Sequence, residues 1–257
     1  MRVAGARLKQ NFSRAAAEYD ARAQFQHIQT NRVLDAALML LPDAAHIADI
    51  GCGTGYFAYE AAEKRPHWSI YGVDISEGMC AVASGRCTAI AADAVALPLA
   101  DRSVDAVVSS LCYQWVENQA AAFAEIARVL KPGGRAIVAS LGAATLHELR
   151  ASSEAVGAAL GLLPMRDFAS VKADLARAGF DITLADCRVA TEHYASVPAL
   201  LDSMRAIGAG NNFAGRESAF LGPKRFAAMI AEYEKLRSAQ GIPARWEHHF
   251  FILHKPL

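Results

Sequence analysis

Seven residues, Asp49-Ile50-Gly51-Cys52-Gly53-Thr54-Gly55, restrict what this chain can fold into more than any other feature of it. The first two end a short apolar run, His46-Ile47-Ala48-Asp49-Ile50, and the last leads into a helical stretch from Tyr56 to Lys64 that Arg65-Pro66 closes. Strand, glycine turn and helix in that order open an α/β unit. Glycines at alternate positions let the backbone bend sharply and approach a ligand with no Cβ in between. A dinucleotide-binding turn is spaced G-x-G-x-x-G. Position 56 is Tyr, so the third glycine of that pattern is missing and an oxidoreductase is disfavoured.

The unit recurs. Ser69 to Val73 precedes Glu77 to Ser84, Thr88 to Ala91 follows, and Val104 to Ser109 precedes Ala120 to Leu130. Short apolar strands alternating with helices predict a parallel sheet covered on both faces, with its ligand beyond the carboxyl ends of the strands. Lys131-Pro132-Gly133-Gly134 predicts a tight turn into a strand from Arg135 to Ser140, because Pro fixes φ and Gly accepts positive φ. Residues 13 to 41 carry apolar side chains at mostly helical spacing, with Ser13 as candidate N-cap and Pro42 as the stop, and predict one or two helices ahead of the core. From Thr145 the pattern changes. Helices at about 145–160, 167–178, 197–207 and 223–238 surround a strand near 180–191, and a final strand at about 245–254 is expected to close the sheet antiparallel. Gly208 to Gly222, rich in glycine with two adjacent asparagines, reads as a loop, and loops of this length are usually functional.

Charge narrows the partners. The 26 basic and 26 acidic side chains cancel, so no long-range field gathers nucleic acid or an anionic membrane, and neither partner is expected. Cys52, Cys80, Cys87, Cys112 and Cys187 form no C-x-x-C pair, which suits reduced thiols better than a disulfide framework or a structural zinc site, and no metal is expected. The first residues lack an apolar signal core and no long uncharged apolar run follows, so the expected location is the cytoplasm.

Asp74 ends the second strand, where an acid can accept hydrogen bonds from both hydroxyls of a ribose, and Ser76 is the better helix cap of the two. Asp93 lies just past the third strand, with Ala94 beside it. The pattern D-x-G-x-G-x-G, these two acids and the L-K-P-G-G before the fifth strand together resemble class I S-adenosylmethionine-dependent methyltransferases over residues 45 to 141. The resemblance implies a doubly wound, mostly parallel seven-stranded α/β sheet of the Rossmann-like methyltransferase kind. It implies S-adenosyl-L-methionine as cofactor, with Gly51, Gly53 and Gly55 at its methionine and sugar end, Asp74 on the ribose and Asp93 on the adenine. Asp49 would orient the loop and the cofactor's amino group, and Cys52, Ile75, Ala94 and Leu111 complete the implied cofactor wall.

Two segments outside the core narrow the family. The helix beginning Phe12-Ser13-Arg14-Ala15-Ala16-Ala17-Glu18-Tyr19-Asp20, with Gln24 and Gln26 after it, and the strand exit Ser109-Ser110-Leu111-Cys112-Tyr113-Gln114-Trp115 look like the malonyl-acyl-carrier-protein O-methyltransferases of biotin synthesis. Leu201 to Ala209 is similar to the same family's lid, so the resemblance covers nearly the whole chain. One domain over 1–257 is expected, with a helical extension at 1–41, a cofactor-binding core at 42–141, and lid helices and final strands at 142–257.

That family methyl-esterifies the free carboxylate of a malonyl thioester. A carboxylate, with a pKa of about 4, is already ionised at neutral pH, so no dedicated base is needed, and no His or Glu here stands out as one. The resemblance puts Tyr19 over the cofactor, Gln114 and Trp115 beside the transferred methyl, and Arg205 or Arg14 on the carboxylate through a charge-assisted hydrogen bond. The implied partner is acyl-carrier protein bearing the malonyl group, or malonyl-coenzyme A, with Arg216, Lys224 and Arg225 as candidate docking cations. The competing readings are another class I small-molecule methyltransferase, such as a quinone carbon methylase or a free polycarboxylate O-methyltransferase, and a non-catalytic cofactor-binding relative.

Overall fold

A computed structural model describes residues 3–157, 162, 164–209 and 222–257. Three helices precede the sheet, α1 (Val3–Ala15), α2 (Tyr19–Arg22) and α3 (Gln24–Leu40). The core follows as β1 (Ala44–Ile50), α4 (Tyr56–Ala61), β2 (His67–Asp74), α5 (Glu77–Ala83), β3 (Thr88–Ala91), β4 (Val104–Ser110), α6 (Gln119–Val129) and β5 (Leu130–Leu141). The remainder is α7 (His147–Ala155), α8 (Phe168–Arg177), β6 (Asp181–Tyr194), α9 (Val197–Ala206), α10 (Pro223–Glu234) and β7 (Ile242–His254).

The seven strands form one sheet in the order β3-β2-β1-β4-β5-β7-β6, parallel from β3 to β5, with β7 antiparallel to both β5 and β6. The doubly wound, mostly parallel reading of the sequence holds, as does the closing antiparallel strand. Ile47, Ala106, Val107 and Ile137 are fully buried because both faces of the central strands are covered. Val33, Leu34 and Ala37 lay one face of α3 on Ala106, Val108 and Ile137, while Phe123, Ile126, Leu175 and Phe251 fill the opposite layer under α6 and α8. Burial of each large apolar side chain contributes ~1.5–3 kcal/mol. A third cluster joins α7, α9, α10 and the start of β7 through Leu149, Leu200, Met204, Tyr233 and Trp246.

Local differences from the sequence reading have local causes. Ser13 does not start a helix: α1 begins at Val3, and the Ser13 hydroxyl lies 2.8 Å from that of Ser76 and accepts the Gly78 N–H. Residues 131–134 are a bulge inside β5 rather than a turn before it, since Val104 pairs with Leu130 and Ala106 with Arg135, and Gly133 takes φ +77° within the bulge. The strand near 180–191 extends to Tyr194 as a long edge on which Asp181 and Arg188 are exposed, charges that discourage edge-to-edge pairing. The expected loop from Gly208 to Gly222 falls mostly outside the described residues. Among the described residues no helix is long and apolar enough to cross a membrane.

Candidate active site

The order of the strands reverses between β1 and β4, and the segments leaving their carboxyl ends part there to leave a crevice. A cavity of about 980 Å³ occupies it, reaching from the glycine turn to Met204 of α9 and Ile207 after it. Of the site residues expected from sequence, Tyr19, Asp49, Gly51, Cys52, Gly53, Asp74, Ile75, Asp93, Ala94, Leu111, Gln114 and Trp115 all line this one cavity. They come from α2, the last residues of β1 and β2, the segments after β1 to β4, and the 3₁₀ turn at Tyr113–Trp115.

The glycine turn is hung from β2. Gly51 N–H and Cys52 N–H donate to Val73 O at 2.7 and 3.2 Å, and Gly53 N–H donates to Asp74 Oδ2 at 3.0 Å. Gly51, Gly53 and Gly55 all take positive φ, a region that costs any residue with a Cβ about 1–2 kcal/mol. Their surroundings differ. A Cβ on Gly53 would meet nothing within 4 Å, one on Gly51 would collide with the Cys112 side chain, and one on Gly55 would sit 3.2 Å from Ala83. Gly55 therefore serves the packing of α4 against α5, and the structure does not bring it to the cavity wall where it was expected. Leu111 and Leu146, also on the wall, hold positive φ without being glycine, and such strain gathers at functional sites.

The acids are concentrated at this end. Asp74 also accepts the Ser76 N–H at 2.8 Å, and Ser76 caps α5 by accepting the Met79 N–H at 3.2 Å. Burial raises the Asp74 carboxyl above its ordinary range, and the Ser76 and Gly53 N–H groups act against that rise. Asp49 is pushed up to about 7, by burial first and by the Asp74 charge second. Burial, then Asp74, raises the Tyr19 phenol far above its usual value, so it stays protonated and is a donor rather than a base. Asp93 is exposed and accepts the Val95 N–H at 3.2 Å.

Polar atoms on the wall lack partners. Ser110 Oγ, Gln114 Oε1 and His27 Nε2 are buried with no hydrogen bond inside the protein, although Gln114 Nε2 is fixed by donating to Leu111 O at 2.6 Å. His27 is held flat on Tyr56, with ring centres 3.7 Å apart. A buried polar group left unpaired costs about 1–3 kcal/mol, so this wall is built for a polar occupant. Trp115 meets Phe12 of α1 edge to face at 5.9 Å, giving the cavity an apolar shoulder.

Sequence reasoning missed several features of the site. Asp20 ties α2 to the glycine turn, accepting Thr54 Oγ1–H at 2.5 Å and pairing with Arg86 at 2.8 Å. Phe25, Met165, Arg166 and Trp246 also line the cavity, and only the packing of distant segments brings them there. Conversely, neither arginine expected on the substrate reaches the wall. Arg14 is exposed, and Arg205 points outward from α9, pairing with Asp202 at 2.6 Å, while its neighbour Met204 turns inward. The correction follows from helical geometry, since adjacent residues are about 100° apart around the axis. Lys224 and Arg225 are exposed on the first turn of α10, and Arg216 lies outside the described residues. His248 and His249 face opposite sides of β7, against Phe25 and Phe168 respectively. His249 Nε2 lies 2.7 Å from Glu247 and Cys187 reaches the same carboxylate at 3.6 Å, in a group apart from the cavity wall.

Known proteins resemble both the fold and the chain. Residues 48–138 match the methyltransferase domain family. A protein of Bacillus halodurans superposes with a TM-score of 0.62 at 16% identity, covering 89% of this chain and 99% of that one. The [4+2]-cyclase SpnF superposes with a TM-score of 0.56 at 22% identity over 88% of this chain and 82% of that one, so the likeness of fold does not by itself choose a reaction. The malonyl-[acyl-carrier protein] O-methyltransferase of Gallionella capsiferriformans is 34% identical, covering 93% of this chain and 87% of its own length. The biotin biosynthesis bifunctional protein BioHC of Saccharophagus degradans is 35% identical over 97% of this chain, which spans 46% of that longer protein. A methyltransferase core joined to 34% identity over 93% of the chain makes this chain a member of the malonyl-[acyl-carrier protein] O-methyltransferase family.

Proposed function

We propose that this chain methyl-esterifies the free carboxylate of a malonyl thioester carried by acyl-carrier protein, drawing the methyl group from S-adenosylmethionine. The observation that carries the reading is the reach of the likeness, which covers 93% of the chain and so includes the segments that wall the far end of the cavity, where substrate is chosen.

The residues present suit that cofactor. The open space over Gly53 admits a ligand against bare backbone, Asp74 is fixed by two N–H groups with its remaining lone pairs free for ribose hydroxyls, and Asp93, on the same wall, would accept from an adenine amino group. Asp49 supplies a buried carboxyl for an ammonium group, and Ser110 Oγ and Gln114 Oε1, which have no hydrogen bond, offer further polar contacts. Bound S-adenosylmethionine supplies a methyl group on a cationic sulfur. The work left to the protein is to hold a nucleophile in line, exclude water and shield the charges until they cancel. Tyr19, protonated, covers the site as a donor, and Trp115 with Phe12 keeps it dry. A carboxylate oxygen that takes the methyl carbon leaves the C–S electron pair on sulfur, and no proton moves, which fits a wall whose phenol is no base.

Two cations at the start of α10, Lys224 and Arg225, oppose the helix dipole, and that placement is suited to an acidic carrier instead. The test is transfer of labelled methyl to malonyl-acyl-carrier protein, malonyl-coenzyme A and free malonate. A methyl ester formed fastest on the carrier is expected, and absence of labelled ester from all three overturns the reading.

A further inference from the structure

The carboxylate of the proposed substrate needs a cation, and the structure supplies one that sequence reasoning passed over. Among the described residues, Arg166 is the one Lys or Arg on the cavity wall. Asp49, Asp74 and Asp93, at the glycine-turn end of the wall, are acidic and do not suit an anion. We propose that Arg166 is the specificity-determining residue that receives the malonyl carboxylate. This rests on the function proposed above.

The pairing around Arg166 explains how it keeps charge to spare. Arg166 and Arg177 both donate to the carboxylate of Asp174, whose side chain is only 3% exposed. Asp174 brings one negative charge to two guanidinium groups, and Asp167, beside Arg166, faces solvent and is engaged with Ser170 as the N-cap of α8. Arg177 is largely exposed, with a side chain 72% accessible, whereas that of Arg166 is 34% accessible and borders the cavity. Asp174, shared with Arg177, thus fixes the Arg166 guanidinium through one nitrogen, and the planar fork has further N–H groups to present. Arg166 directly precedes Asp167, the N-cap of α8, and Val171 and Leu175 of that helix are buried in the main core, so the guanidinium is carried on a rigid element. Met165 beside it packs into the lid cluster, which places the cation between core and lid.

The test compares binding of malonyl-acyl-carrier protein and acetyl-acyl-carrier protein, which lacks the carboxylate, to the enzyme saturated with S-adenosylhomocysteine. Wild type is expected to prefer the malonyl form by at least tenfold. Arg166→Gln should lose that preference with acetyl-carrier binding and cofactor affinity unchanged, and Arg166→Lys should recover only part of it. A preference retained in Arg166→Gln overturns the assignment. Equal weakening of both carriers also overturns it, pointing to the phosphodiester of the carrier arm or the carrier surface. Arg177→Gln, which leaves the wall intact but gives Asp174 wholly to Arg166, should raise KM for malonyl carrier with the melting curve little changed, and an unchanged KM would discard the argument from the shared carboxylate. Wild type that fails to methylate any malonyl thioester would sink the underlying function, a result distinct from a wild type that works and a variant that works equally well.

Discussion

Two glycines of the same turn do different work, and their substitutions separate the roles. Gly53→Val adds a branched side chain in the open space of the cavity, so S-adenosylmethionine binding measured by calorimetry should be lost while circular dichroism stays native. Gly55→Ala instead presses on Ala83 and strains a residue at φ +80°, so it should lower the melting temperature while the surviving folded protein keeps cofactor affinity. Asp74→Ala should weaken the cofactor by about 1–3 kcal/mol, the loss on removing a charged hydrogen-bond partner, because the same carboxylate also holds Gly53 in place. Asp49 gives a pH signature. Its folded value of about 7 lies above the ordinary value of about 4 in an unfolded chain, so its stabilising contribution is fully present below pH ~4 and is lost as pH rises to about 7. Relative to wild type, Asp49→Asn should therefore melt progressively higher between pH 5 and 8 without cofactor. A cationic ligand reverses the sign, since it favours the carboxylate, so wild-type cofactor affinity should rise through the same window and the variant's should not.

Between elements, the decisive contact is Asp20 with Thr54 and Arg86, which binds the N-terminal helices to the glycine turn. Asp20→Ala should raise amide exchange in α2 and residues 51–55 together and weaken the cofactor several-fold. An increase confined to α2 would show that the two segments are not coupled. Arg205 on α9 makes the opposite case: its pairing with Asp202 is exposed, so Arg205→Ala should keep turnover of malonyl carrier near wild type, an exposed pair contributing only ~0–1 kcal/mol. The lid match drew attention to this residue, but helical phase turns Met204 inward and Arg205 out.

Across the whole molecule, the sequence alone determined the sheet and the end of the cavity proposed for the cofactor. Alternating apolar strands and helices leave few ways to pack besides a sheet covered on both faces, and the residues after each strand necessarily gather at one end of it. For that reason Asp49, Gly53, Asp74, Asp93 and Gln114, scattered over 66 positions of sequence numbering, could be named together before any coordinates. Only the tertiary structure decided the substrate half. Arg166 lies in an irregular stretch with no motif around it, and its place on the wall depends on how α8 seats on the sheet and how Asp174 divides itself between two arginines. The same holds for the Asp20 contact with Thr54 and for Gly55, whose neighbour Ala83 belongs to another helix. Strand ends are local and periodic and can be read in one dimension, whereas side-chain direction and charge balance across segments far apart in the chain are set by packing, which no spacing in the sequence records.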